Sequence, residues 1–186
     1  VLGALLAAHN AFFRLLDRAT AGWLTPTLAR LVFAGVLLMY FWASALTKLG
    51  DGPLGWLFPS AGAYAQMFPR AMEAVTYDVS QMALWQWLVA VLGTWAEFIL
   101  PLLIVIGLFT RLAALGMIGF IIVMSLTDII GHNADAATIG AWFDRASGSL
   151  IVDQRSLWIF VLIVLVVRGA GPISVDRFTI ERPAKD

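Results

Sequence analysis

The sequence contains no cysteine. Disulfides, thiol catalysis, iron–sulfur clusters, covalently attached c-type haem and thiolate metal sites are therefore excluded. Charge is scarce as well: Asp, Glu, Lys and Arg make up 13% of the chain, against about 25% in an ordinary water-soluble domain. Twelve basic residues balance twelve acidic ones. No basic block stands out, so nucleic acid is not an expected partner. The two histidines, His9 and His132, fall on opposite sides of the topology derived below. A metal site normally takes roughly three or four ligands, so neither a bis-histidine haem nor a metal site is expected.

What fills the space is hydrocarbon. Hydrophobic residues make up 61% of the 186 residues and the mean hydropathy is +0.87, which identifies an integral membrane protein. Leu31 to Thr47 is uncharged, lies between Arg30 and Lys48, and stops at Gly50-Asp51-Gly52-Pro53, a strong helix-ending turn. Val79 to Thr110 is apolar except for Glu97 and is long enough to tilt or to start outside the bilayer. Leu112 to Ile130 is apolar except for Asp128 and ends at Gly131-His132-Asn133. Ser156 to Val167 is too short to cross alone and needs Leu150 to Arg155 to join it. The expected fold is all-α: an integral membrane four-helix bundle over residues 27–177, with spans near 29–48, 82–107, 111–131 and 151–168, and a tail at 178–186.

Eight basic residues (Arg14, Arg18, Arg30, Arg111, Arg168, Arg177, Arg182, Lys185) fall on one side of such a bundle and four (Lys48, Arg70, Arg145, Arg155) on the other. The positive-inside rule then places both termini in the cytoplasm, in what is expected to be a bacterial inner membrane. Residues 1–26 carry Leu5, Leu6, Phe12, Phe13, Leu15 and Leu16 with Arg14 and Arg18. The basic residues follow the apolar stretch, so an interfacial helix on the cytoplasmic face is expected rather than a signal peptide. Short helices are expected in both outer loops. Tyr64, Met67 and Phe68 would press one on the membrane surface, and Ala136, Ile139 and Phe143, beside Trp142, would form another.

A carboxylate inside a span costs at least ~2.5 kcal/mol on insertion scales, so Glu97 and Asp128 need partners or protons. Counted from the basic residue at the cytoplasmic end of each helix, Glu97 lies about 21 Å up, Asp128 about 25 Å and Lys48 about 27 Å. All three fall in one layer of the outer half. An ion pair of Glu97 with Lys48 would lock the first two spans together. His132 is four residues after Asp128, so a group of Asp128, His132 and Lys48 at the outer mouth is a further arrangement. Acids beside aromatic residues in an apolar pocket also suit a quinone head group, with Glu97, Trp95, Trp42 and Lys48 as its candidate lining. Arg30-Leu31 with Gly35 and Arg111-Leu112 with Gly116 form a weak internal echo of two related hairpins.

Arg30, Gly35 and Lys48 on the first span, the buried Glu97, the run Ile106-Gly107-Leu108-Phe109-Thr110-Arg111-Leu112-Ala113-Ala114-Leu115 and the closing Gly171-Pro172-Ile173-Ser174-Val175-Asp176 resemble the DoxX family. The resemblance runs over about residues 27–177. It implies a small four-helix membrane protein, and a range of roles in which partnership is the common theme: a quinone-linked subunit of thiosulfate oxidation, and a membrane protein that holds redox-defence enzymes together. The leading expectation is an inner-membrane accessory or anchoring subunit of a redox or stress-response complex, not catalytic by itself. Its rival is a quinone-reactive oxidoreductase subunit of the thiosulfate:quinone type, in which Glu97, Lys48, Asp128 and His132 are the catalytic candidates. A small transporter is third. Expected partners are membrane lipids, a redox-complex protein and a second copy of the chain.

Overall fold

The computed structural model describes residues 1–179. Among these every regular element is helical, and four helices are long and apolar enough to cross a membrane: Leu24–Leu46, Leu84–Ile106, Thr110–Gly131 and Leu150–Arg168, hereafter spans 1 to 4. Spans 2 to 4 begin and end within two residues of the ranges given above. Span 1 starts earlier, at Leu24 instead of near residue 29, because Pro26 sits in the first helical turn, where a missing N–H removes no hydrogen bond. Residues 180–186, most of the expected tail, lie outside the described residues.

Span 1 packs on spans 2 and 4, and span 3 closes the ring against the same two. Phe33, Phe41, Ile104, Met117, Ile121, Leu162 and Leu165 fill the centre and are fully or almost fully buried. Span 4 reaches membrane length because its charged first turns are internally satisfied. Ser149 N–H donates to Asp153 Oδ2 (2.9 Å) and Asp153 N–H donates back to Ser149 Oγ (3.1 Å), a reciprocal cap that removes two unsatisfied donors. π-helical turns occur at Ala34–Leu38, Thr127–Gly131 and Leu150–Gln154. Each extra residue per turn rotates the side chains beyond it relative to an unbroken α-helix.

The two ends of the bundle differ. At one end the chain makes long loops; at the other, spans 2 and 3 meet in a tight turn beside the segment that follows span 4. In that turn Gly107 is left-handed at φ 73° and Phe109 at φ 48°. Asp176 caps it, accepting from Phe109 N–H at 2.7 Å and Thr110 N–H at 2.9 Å. Arg30 braces it from span 1, donating to the carbonyls of Ile104 (3.0 Å), Val105 (2.5 Å), Ala170 (3.1 Å) and Ile173. One guanidinium thereby ties three stretches of chain together. The residues of the internal echo are placed differently from one another, since Arg111 is exposed.

At the loop end, Trp87 and Trp95 reach out of span 2 to hold the chain that follows span 1: Trp87 Nε1 donates to the Leu57 carbonyl (2.9 Å), and Trp95 donates to the Trp56 carbonyl (2.9 Å) while stacking on its ring at 5.5 Å. Helices Ala61–Met67 and Pro69–Ala74 follow. Tyr64 is buried and packs with Met72 and Ala90, so the first loop turns its apolar side onto the bundle and not outward onto a membrane surface. The second loop contains only Ala136–Ile139, which ends at Gly140. Phe143 is fully exposed with φ 66°, so the expected periodicity through 143 does not become a helix. Helix Leu2–Thr20 has no buried residue.

Candidate functional site

Tyr40, Ser44 and Lys48 recur every four residues along the end of span 1, and one face of a helix collects them. Lys48 comes at the loop end, and its side chain reaches across to span 2. Its Nζ donates to Glu97 Oε2 at 2.8 Å, to Glu97 Oε1 at 3.0 Å and to Ser44 Oγ at 2.6 Å. Ser44 Oγ in turn donates to Glu97 Oε1 at 3.2 Å. Both charged side chains are at least 95% buried. The pair satisfies the requirement that charge within apolar surroundings be matched and hydrogen-bonded.

A second ion pair joins spans 3 and 4. Arg155 donates to Asp128 Oδ2 at 2.5 Å and to Ser125 Oγ at 3.0 Å. Asp128 lies within one π-helical turn and Arg155 directly follows another. The Arg155 side chain is 9% exposed and that of Asp128 33%. Arg155 Nε is buried without a hydrogen-bond partner among the described residues, while Asp128 Oδ1 accepts none. The bundle therefore carries one buried or half-buried ion pair for each of its two hairpins.

Both pairs face a single cavity of about 590 Å³. Its polar wall is made by Tyr40, Ser44, Lys48, Glu97, Asp128 and Arg155, and its remaining lining is mostly apolar, from spans 2 and 3. Tyr40 stands between the pairs, within electrostatic reach of Arg155, Asp128 and Glu97. Its ring packs on Trp158 at 5.2 Å, and its hydroxyl makes no hydrogen bond among the described residues. The first loop forms the roof with Gln66, Met67 and Phe68. His132 Nε2 donates to the Gln66 carbonyl at 3.0 Å and Arg70 donates to Asn133 Oδ1 at 3.1 Å, which bridges the two loops.

Four residues singled out in the sequence, Lys48, Glu97, Asp128 and His132, thus line one space, but with separate partners. Lys48 pairs with Glu97 and not with Asp128, and the π-helical turn removes the simple four-residue relation of Asp128 to His132. Trp42 and Trp95 point elsewhere. Trp42 Nε1 donates to the Phe98 carbonyl at 3.1 Å, and Trp95 is spent on Trp56. Arg155, Tyr40 and Ser44 were not singled out. The four-residue spacing of Tyr40, Ser44 and Lys48 is a signal that was there to find; the choice of Arg155 as the partner of Asp128 depends on tertiary packing and left none. Among the described residues no three His, Asp or Glu side chains gather to hold a metal.

The cavity offers a hydrogen-bond donor at Tyr40 and an acceptor at Asp128, set against charges that already cancel pairwise, inside apolar walls. This donor set fits a neutral, polar head group carrying carbonyl or hydroxyl oxygens better than it fits an ion. No curated protein and no solved structure matches the chain. The sequence model of the DoxX family matches residues 25–129, a stretch that includes Tyr40, Ser44, Lys48, Glu97 and Asp128. The match takes in more than half of the chain, which belongs to the DoxX family.

Proposed function

We propose that this protein is a membrane subunit of a redox or stress-response complex, in a bacterial inner membrane with both termini cytoplasmic, and that its cavity receives a quinone head group. The observation that carries this reading is the cavity of about 590 Å³ in which two self-neutralised ion pairs, Lys48–Glu97 and Arg155–Asp128, flank a Tyr40 hydroxyl that has no hydrogen-bond partner among the described residues. A bound quinone supplies two-electron, two-proton carrier chemistry. This chain's share is to seat the head group: Tyr40 donates to a carbonyl oxygen, Asp128 Oδ1 accepts from a hydroxyl, and the apolar walls keep water from competing for both. Glu97 and Lys48 hold the wall in place and set the field around it. Family membership supports the membrane and redox part of the reading.

The test is extraction of the protein from native membranes in mild detergent, followed by chromatography of the organic extract and titration of the lipid-free protein with quinone. Retained quinone near one equivalent and saturable binding that weakens in Tyr40→Phe are expected. Neither retention nor saturable binding would remove the quinone from the proposal. Anchoring without ligand is the second reading, and helix Leu2–Thr20 favours it, because none of its residues is buried against the bundle. Mass spectrometry of co-purifying proteins tests that reading, which requires a stoichiometric partner that is lost when residues 2–20 are deleted.

A further inference from the structure

The cavity continues beyond its polar wall. Its other side runs along the seam between spans 2 and 3, where Val89, Leu92, Gly93, Ala96 and Leu100 face Gly116, Gly119 and Val123. Several of these look outward as well as inward: Val89 is 44% exposed, Leu92 52% and Val123 63%, on helices that lie in the hydrocarbon layer. The seam is therefore open sideways. Space remains beside both span 3 glycines of the seam. A Cβ on Gly116 would touch Leu100 Cδ2 at 3.4 Å, and a Cβ on Gly119 would have nothing within 4 Å.

The route from water is covered by contrast. The His132–Gln66 and Arg70–Asn133 hydrogen bonds join the loops over the polar wall. Met67 lies so close to Gly93 that a Cβ there would stand 2.9 Å from its Cε, and Pro69 crowds Gly131 to the same 2.9 Å. At the far end spans 2 and 3 converge on the turn at Gly107. From Asp128 down to Gly116 the seam measures about 18 Å of helix rise, which is room for a long alkyl or isoprenoid segment.

Resting on the quinone reading above, we infer that the ligand enters from the leaflet on the loop side, that its hydrocarbon tail lies in the seam between spans 2 and 3, and that it runs through the open space beside Gly119. A tail in the seam and a head group at Tyr40 and Asp128 occupy one continuous space, so the site selects an amphiphile with a neutral head. The charges at its polar end cancel in pairs, which disfavours a phospholipid phosphate.

The test compares two probes with the same quinone head, one without a tail and one with a ten-carbon alkyl tail, titrated into the full chain in nanodiscs. Wild type is expected to bind both, the tailed probe more tightly. Gly119→Trp should weaken the tailed probe by about tenfold or more, since each buried methylene lost weakens binding severalfold, and should leave the tailless probe within about twofold. Gly119→Ala should change neither. Because the chain has no cysteine, Gly119→Cys supplies a second measurement on a minimally altered protein: the tailed probe should slow its alkylation by a maleimide and the tailless probe should not. An unchanged tailed affinity in Gly119→Trp, or equal loss of both probes, overturns the inference while leaving head-group binding standing. Equal loss together with a change in particle size puts a second copy of the chain in the seam and also overturns it. Failure of the wild type to bind either probe overturns the quinone reading itself.

Discussion

Lys48 Nζ and Glu97 Oε2 stand 2.8 Å apart with both side chains almost fully buried, so the turn that follows span 1 is fastened to the middle of span 2. Removing one member leaves an uncompensated charge in apolar surroundings, which costs about 3–5 kcal/mol for buried pairs. Glu97→Gln and Lys48→Met should each lower unfolding stability by about 3 kcal/mol. The double change Lys48→Met with Glu97→Met should recover most of the loss, because no charge is then stranded. Denaturant titration in detergent, arranged as a double-mutant cycle, measures this. Additive single effects would show that the two residues are not energetically joined.

Asp128 and Arg155 should behave differently because their exposures are unequal, 33% against 9%. Asp128→Asn leaves a buried guanidinium short of an acceptor, with Nε already unpaired. An expected loss of about 1–3 kcal/mol follows for a buried donor left without its charged partner. That is less than for Glu97→Gln, since Ser125 still accepts from Arg155. The same denaturant titration ranks the two. A loss in Asp128→Asn exceeding that in Glu97→Gln would contradict the ordering.

The clasp at the opposite end gives a local prediction. Asp176 accepts from two backbone N–H groups at the start of span 3, and losing an N-terminal cap costs typically ~1 kcal/mol. Asp176→Ala should therefore raise hydrogen exchange at the amides of Phe109 to Ala113 while leaving the amides of the loop end protected. Gly107→Ala should disturb the same amides more, because its Cβ would stand 2.6 Å from Ser174 Cβ at a backbone φ of 73°. Left-handed backbone costs an alanine about 1 kcal/mol before any clash is counted. Uniform loss of protection over the whole bundle in Asp176→Ala would mean that the clasp is not a local device.

The spans were legible because a hydrocarbon layer demands long, almost uncharged runs, and Leu31 to Thr47 or Leu112 to Ile130 can serve little else. The fourth could be read only conditionally, through Leu150 to Arg155. The structure supplies the missing condition: Asp153 is used in the Ser149 cap and Arg155 is held by Asp128. The Gly107 to Leu115 run and the closing Gly171 to Asp176 carried the family resemblance, yet their role as two halves of one clasp was hidden. A sequence does not say that residue 176 returns to residue 109.

The candidate site was half legible for a similar reason. Glu97 and Lys48 announced themselves as charges that had to be matched, and their estimated depths placed them in one layer. Asp128 announced itself too, but its partner sits on a helix whose neighbours are decided only by the closing of the ring. The π-helical turn at Thr127–Gly131 shifts the phase on which the Asp128 to His132 spacing was read. Aromatic residues misdirect for another reason: Trp42 and Trp95 use their indole N–H groups on nearby carbonyls, which satisfies them without any cavity.

Tyr40 is the residue on which the quinone reading can be separated from plain bundle stability. It lines the cavity, the residue is 44% exposed, and its hydroxyl bonds to nothing described, so removing the oxygen strands no partner. Tyr40→Phe should leave unfolding stability within about 0.5 kcal/mol of wild type, because no hydrogen bond among the described residues is lost. A hydrogen bond to a ligand contributes about 1 kcal/mol net, so the same change should weaken quinone binding roughly fivefold. Asp128→Asn should weaken binding too, but with a measurable cost in stability. If Tyr40→Phe binds quinone as tightly as wild type, the head group does not sit between the two ion pairs, and the acceptor and donor proposed for it must be sought elsewhere in the bundle.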